Sequence, residues 1–333
     1  MGSFGRQIVA DRRFQIEAKL NSLSKIIVTG GAGFIGGHLV PELLSRGHKV
    51  FVIDNLYSGR REYIPTEAEY LDLDLARADE STVFEVFRGF CPDAVIHLAA
   101  IHYIPHCVAN PAETFLANVR STDVIVRALR GTSAQKLIAA STADVYPLLD
   151  RPHVESEVPA PNNPYGLSKF LLEEIVAGAA RTNPNLSCVA LRLFNVYGPR
   201  DTNPHVIPAI VDLLRSASPE ICVGATETTR DFVHVDDAVR AIYMALLHDT
   251  GKHDVFNVGT GQATSIGQVL RILLQAAGDG REVVHDKNLL RAYDRSSLTS
   301  DIRKIGRKLE WHPTVTIEDG LTRLVQQTIL PSS

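Results

Sequence analysis

Three glycines spaced three apart, Gly30, Gly33 and Gly36, stand between two apolar runs and constrain the fold more than any other feature of the chain. The first run, Ile26-Ile27-Val28, ends in Thr29. Past the glycines, Phe34, Ile35, Leu39, Val40, Leu43 and Leu44 follow a helical spacing. Gly47 stops that helix, and a second run, Val50-Phe51-Val52-Ile53, ends in Asp54 and Asn55. The order is strand, tight turn, helix, strand. One glycine permits the turn, one lets a pyrophosphate approach the backbone, and one lets the helix pack close to the strand. The free N–H groups and positive dipole end of the helix then face phosphate. Asp54 is placed to accept hydrogen bonds from ribose hydroxyls and to repel a 2′-phosphate, so NAD is expected rather than NADP.

The composition narrows the rest. The chain has 333 residues, is 45% hydrophobic and carries a formal net charge of -4, so a large core is expected and a basic surface for nucleic acid is not. Cys91, Cys107, Cys188 and Cys222 are scattered without metal-ligand or redox spacing and suit a reducing cytosol, so a cytoplasmic location is expected. No apolar run reaches membrane-span length. Residues 1–24 lack a continuous apolar stretch and are read as an N-terminal arm without a signal peptide, in which Phe14, Ile16 and Leu20 mark a short helix.

Beyond Asp54, strands are expected at Glu69–Leu75, Ala94–Leu98, Lys136–Ala140 and Ser187–Leu193. They alternate with helices around Val83–Phe87, over Ala112–Arg130, and from near Tyr165 to Arg181. This alternation predicts an α/β fold, a doubly wound parallel sheet of Rossmann type. Asp74 is expected near the adenine or as a helix cap, and His97 as a packed strand-end histidine. After Asn195, prolines interrupt shorter elements, which points to a smaller C-terminal lobe covering the strand ends where such sheets bind ligands.

Tyr165 and Lys169 are four residues apart and share one helix face. An ammonium beside a phenol favours the phenolate, so Tyr165 is expected to have a lowered pKa and to act as general base and acid. The strand from Lys136 runs on into Ser141-Thr142-Ala143-Asp144, and Thr142 is the hydroxyl expected to hold the substrate alcohol. The loop Ile101–Asn110 carries His102, Tyr103, His106 and Cys107, read as specificity candidates; no closed ligand spacing is completed, so no metal is expected.

From about Lys25 to Trp311 the chain resembles the extended short-chain dehydrogenase/reductase family, and within it the nucleotide-sugar epimerases, decarboxylases and dehydratases. The resemblance rests on TGGAGFIG, VIDN, HLAA, STADVY, YGLSK, LRLFNVYGPR, RDFVHVDD and NVGTG in that order. It implies a cofactor site of Gly30, Gly33, Phe34, Ile35, Gly36, Asp54, Asn55, Asp74, Leu75, Leu98, Ala99, Ala100, Asn118, Tyr165 and Lys169. The catalytic trio it implies is Thr142, Tyr165 and Lys169. On the substrate side it implies Asn195, Arg230 and Arg291 at a nucleotide diphosphate and Asp294 at a ribose. Two arginines and an amide suit a diphosphate because guanidinium forks bind phosphate oxygens in pairs. It also implies that residues 25–195, with later excursions, form the NAD-binding domain and residues 196–330 mainly the nucleotide-sugar-binding lobe.

Ala143 cannot donate a proton, which argues against the dehydratase branch; Asp144 is one methylene shorter than the decarboxylases' glutamate. The expected function is therefore an NAD-dependent nucleotide-sugar 4-epimerase (an isomerase) that oxidises C4 to a 4-keto sugar and re-reduces its other face. UDP-glucuronate is the first sugar expected and UDP-glucose the second. The alternatives are a UDP-glucuronate decarboxylase, a 4-keto-sugar reductase and a non-catalytic NAD-binding scaffold. The resemblance also implies a homodimer joined by a four-helix bundle. On the helices Ala112–Arg130 and Gly166–Arg181, Phe115, Val119, Val126, Leu129, Phe170, Leu171, Ile175 and Val176 supply enough apolar residues to serve sheet and partner.

Overall fold

The computed structural model describes residues 24–286 and 295–329. Seven parallel strands form the central sheet: β1 (Lys25–Thr29), β2 (Lys49–Asp54), β3 (Glu69–Asp72), β4 (Ala94–His97), β5 (Lys136–Thr142), β6 (Ser187–Leu193) and β11 (His253–Val258). Their order is β11-β6-β5-β4-β1-β2-β3, so the chain reverses direction across the sheet between β1 and β4, where Thr29 pairs with His97. A crevice opens beyond the strand ends at such a reversal.

The inner strands β1, β2 and β4 read as apolar runs because both faces are covered. Ile26 and Val28 face one layer with Leu39, Ile242, Ile305 and Trp311, while Ile27 faces the other with Phe87, Ile125, Leu172 and Val176. The first layer comes from α1 (Gly36–Ser45), α8 (Val235–Leu247) and α10 (Arg303–Leu309), so it includes chain far beyond residue 195. The second layer comes from α2 (Glu80–Phe90), α5 (Ser121–Leu129) and α6 (Pro164–Thr182). Each fully buried Leu, Ile or Val contributes about 1.5–3 kcal/mol. A separate apolar cluster (Ile207, Ile210, Val269, Leu273, Leu321, Val325) joins α7 (Val206–Arg215), α9 (Ile266–Ala277) and α11 (Ile317–Thr328).

The helix expected over Ala112–Arg130 differs from a regular α-helix. α3 (Ile104–Ala109) precedes it, α4 (Pro111–Phe115) leads into a π-helical turn at Leu116–Arg120, and α5 follows. The wider turn brings Asn118 inward, where its side chain holds neighbouring segments. Val126, Leu129 and Val176, among the residues expected to serve sheet and partner, are buried in this chain's own core. Phe170 packs near Tyr146 and Phe194. Phe115, Val119, Leu171 and Ile175 remain together along a shallow outer groove.

Candidate active site

A cavity of about 1790 Å³ lies over the strand ends, between the sheet and the C-terminal elements. Its floor is the glycine turn. Gly30 has φ +71°, and a Cβ there would lie 2.6 Å from the Ala99 nitrogen, so a side chain is excluded on both counts. A Cβ on Gly36 would overlap the Gly30 carbonyl oxygen; its absence lets α1 begin directly beneath the turn. Gly33, Phe34 and Ile35 complete this part of the wall, facing Leu98, Ala99 and Ala100 from the end of β4. Asp54, at the end of β2, accepts the Ala32 N–H at 2.9 Å on one oxygen and the Leu56 N–H at 2.8 Å on the other. Burial raises its pKa and these two bonds oppose the rise. Asn55, Asp74 and Leu75 line the same end. Asp74 also caps locally, accepting the Ala76 N–H at 2.9 Å and pairing with Arg77 at 2.7 Å.

The glycine cradle at a helix start and the carboxylate at a strand end fit an adenine dinucleotide: Gly30, Gly33 and Gly36 line the cavity without side chains, and Asp54 is fixed by two main-chain N–H groups.

The opposite end carries the polar groups suited to proton transfer. Thr142 ends β5, and Tyr165 and Lys169 project from the first turns of α6. Asn163 caps that helix by accepting the Gly166 N–H at 2.9 Å, and Pro164 occupies its first position. Thr142, Tyr165 and Lys169 all line the cavity. Lys169 Nζ donates to the Ala140 carbonyl at 2.8 Å, and burial lowers its pKa to about 8. Tyr165 differs from expectation. Burial and the Asp144 charge raise its pKa above the usual phenol value, and the Thr142 hydroxyl is the group that opposes them. Without ligands, desolvation of a phenolate therefore outweighs the benefit expected from Lys169.

Asn195 and Arg230 also line the cavity. Arg230 Nη1 donates to the carbonyls of Thr229 at 2.8 Å and Arg295 at 3.0 Å. Arg291 and Asp294 lie outside the described residues. His102 and Tyr103 face the cavity, with the His102 ring 5.5 Å from His205, itself 3.3 Å from Asp201. Burial and the charges of His205 and Lys169 lower His102 to about 4, which keeps it neutral near pH 7. His106 instead turns to Glu113 at 3.1 Å, and Cys107 is buried with Sγ 3.7 Å from the Ile101 carbonyl. His97 is packed between Thr29 at 2.7 Å and Thr122 at 3.1 Å, and burial lowers its pKa to about 3.

Asn118 does not line the cavity. It is wholly buried, bonded to both main-chain groups of Ile101 and to Ser168, and acts through those neighbours. Sequence reading missed Asp201 and His205, which follow a proline-rich stretch without periodicity, and Arg295, one residue beyond Asp294. Among the described residues, no set of three or more His, Cys, Asp or Glu side chains is arranged to hold a metal. None of the described helices is long and apolar enough to cross a membrane.

Comparison with known proteins agrees with this arrangement. The profile described as the NAD dependent epimerase/dehydratase family matches residues 26–259. A putative UDP-glucose 4-epimerase of Methanocaldococcus jannaschii is 33% identical over 306 residues, covering 90% of this chain and 97% of the relative. Among solved structures, the Thermotoga maritima UDP-glucose 4-epimerase with UDP-glucose has a TM-score of 0.85 at 33% identity, covering 92% of this chain and 100% of that one. MoeE5 in complex with UDP-glucuronic acid and NAD has a TM-score of 0.82 at 29% identity, covering 92% and 99%. With a glycine-floored dinucleotide cleft at one end of the cavity and a threonine, tyrosine and lysine at the other, the chain belongs to the NAD-dependent epimerase/dehydratase family, in its extended short-chain dehydrogenase/reductase group of nucleotide-sugar epimerases.

Proposed function

We propose that this protein is an NAD-dependent UDP-hexose 4-epimerase. The observation that carries the reading is that one cavity joins the glycine cradle, the Thr142–Tyr165–Lys169 set, and Asn195 with Arg230. Bound NAD supplies a reversible hydride acceptor. Gly30, Gly33, Phe34, Ile35, Gly36, Asp54, Asn55, Asp74, Leu75, Leu98, Ala99 and Ala100 are the residues that would hold it, with Lys169 and Tyr165 at its reactive end and Asn118 bracing the site from behind. In its phenolate form, Tyr165 takes the proton of the sugar's C4 hydroxyl at its phenol oxygen and later returns it. Thr142 orients that hydroxyl and is the neighbour that favours the phenolate. Arg230 and Asn195 grip the diphosphate, so the sugar turns within the cavity while its nucleotide stays anchored; Arg291 and Asp294 are assigned to the same nucleotide.

UDP-glucose is the first substrate to test, supported by relatives that carry that name. UDP-glucuronate is the second, supported by the similarity to MoeE5 in complex with UDP-glucuronic acid. The protein is incubated with each sugar without added cofactor, and products are resolved by chromatography and proton NMR. A 4-epimer formed without net NADH is expected. A UDP-pentose with carbon dioxide release would mean decarboxylation, stoichiometric NADH loss in a parallel run with NADH added would mean a reductase, and intact NAD binding with no turnover of any UDP-hexose would mean a non-catalytic scaffold.

We further propose a cytoplasmic homodimer. Free cysteines suit a reducing compartment. Leu116 and Leu171 are 39% and 37% exposed beside Phe115, Val119 and Ile175, an apolar strip on two adjacent helices. A monomeric mass by light scattering at micromolar concentration overturns the dimer, and recovery outside the cytosolic fraction overturns the location.

A further inference from the structure

Arg295 is 8% exposed and lines the cavity. Its Nη2 donates to the Tyr146 carbonyl at 2.6 Å and its Nη1 lies 3.4 Å from that of Pro147. Its own carbonyl accepts from Arg230 at 3.0 Å. These contacts fix the guanidinium, yet its Nε–H is buried without a hydrogen-bond partner among the described residues. The facing anion is Asp144, whose Oδ1 is 3.9 Å from Nε, beyond hydrogen-bond distance. A buried, unsatisfied and charged donor is costly, and one that lines a cavity is explained by a ligand that completes it.

Asp144 follows Thr142 by two residues, lines the same cavity and acts electrostatically on Tyr165. Arg295 therefore stands between the proton-transfer end and Arg230. We propose that Arg295 Nε–H and Asp144 Oδ1 together bind one hydroxyl of the sugar, other than the reacting C4 hydroxyl, and so require that hydroxyl on the substrate. This rests on the reading of the substrate as a nucleotide sugar.

The chemistry of the pair decides the ligand class. A hydroxyl both accepts and donates one hydrogen bond. An oxygen about 2.8 Å from each atom spans their separation at roughly a right angle, accepting from Nε–H and donating to Asp144. A carboxylate accepts only. Placed on Nε, it would meet the Asp144 oxygen with no proton between them, so the pair takes a hydroxyl and not a carboxylate group. A deoxy sugar leaves both groups unsatisfied. Asn163 Nδ2 lies 3.5 Å from the same Asp144 oxygen, a long contact that leaves room for a second donor. Arg230 adds its positive charge; with burial it lowers the Arg295 pKa, and Asp144 opposes that shift.

The test uses the full-length, NAD-loaded protein. Binding of UDP, UDP-glucose, its 2-, 3- and 6-deoxy analogues and UDP-glucuronate is measured by calorimetry, and turnover by NMR. Wild type is expected to bind one deoxy analogue roughly 10- to 150-fold more weakly than UDP-glucose, the range of a charged hydrogen bond. Arg295→Met is expected to bring that ratio within about threefold while keeping UDP affinity, and Arg295→Lys, which keeps the charge without an Nε–H, to do the same. The proposal is overturned if no deoxy analogue discriminates in wild type, or if Arg295→Lys weakens every ligand equally, UDP included. Discrimination in binding without epimerisation would overturn the 4-epimerase reading and leave this inference standing. No binding of UDP-glucose would overturn both.

Discussion

The Asn118 carboxamide donates to the Ser168 hydroxyl at 2.9 Å, and that hydroxyl donates to the Tyr165 carbonyl at 2.7 Å. The π-helical turn is thereby tied to the helical turn between Tyr165 and Lys169. The same carboxamide accepts the Ile101 N–H at 2.8 Å and donates to the Ile101 carbonyl at 2.9 Å. Asn118→Ala leaves these buried groups unsatisfied, which costs about 3 kcal/mol. Urea denaturation should show that loss, and kcat should fall more than KM rises because Tyr165 and Lys169 lose their brace. An unchanged midpoint would remove Asn118 from this role.

Lys169 should destabilise the ligand-free protein. Its pKa falls from 10.5 to about 8 in the fold. Between those values the unfolded chain binds more protons, so stability rises with pH; below about 8 the full penalty, about 3 kcal/mol, is present. Lys169→Met removes the penalty and forfeits the hydrogen bond to Ala140. We expect a gain of about 2 kcal/mol at pH 7, with no rise between pH 8 and 10.5 from this site and turnover largely lost. Thermal melts decide it, and a variant that melts lower than wild type contradicts the prediction.

Acid should act through two histidines. His97 and His102 have pKa values lowered to about 3 and about 4, so both are neutral in the fold while the unfolded chain protonates them near 6.5. Below pH 6.5 the unfolded state binds more protons, and stability falls as pH drops towards the folded values. From pH 6.5 to 5, His97 alone costs about 2 kcal/mol. Urea midpoints at pH 7 and 5 measure the combined loss. His102→Gln should reduce the difference, and an equal difference in the variant would exclude His102.

Gly36→Ala tests the cofactor cradle. The new methyl overlaps the Gly30 carbonyl oxygen and forces the turn and α1 apart. Overpacking of this kind costs about 1–3 kcal/mol. NAD binding, followed by calorimetry, should weaken at least about tenfold, because the turn that presents the N–H groups is displaced. Wild-type NAD affinity in this variant would show that the close approach is dispensable.

Most of the parallel sheet was legible because its inner strands carry apolar runs between helical patterns; Ile26, Ile27 and Val28 specify both faces of β1. Thr142, Tyr165 and Lys169 were legible because a strand end and a capped helix start bring such residues to one rim. The π turn was not, since a single wider turn leaves the apolar spacing of Ala112–Arg130 nearly unchanged. The Tyr165 shift escaped because sequence spacing reports that Lys169 is near but not how thoroughly the phenol is desolvated. The role of Arg295 escaped because its partners, Tyr146 and Pro147, are more than a hundred residues away in the chain.

The last strand of the main sheet comes late. β11 covers the edge of β6 through six paired residues, from His253 with Cys188 to Val258 with Leu193. During synthesis on the ribosome, β6 therefore emerges well before its neighbour exists. At about 5–20 residues per second the interval is roughly 3–13 s. For that time an apolar strand presents unpaired N–H and C=O groups, the template on which chains pair wrongly. The period between completion of β6 and arrival of β11 is when the nascent chain most needs a chaperone.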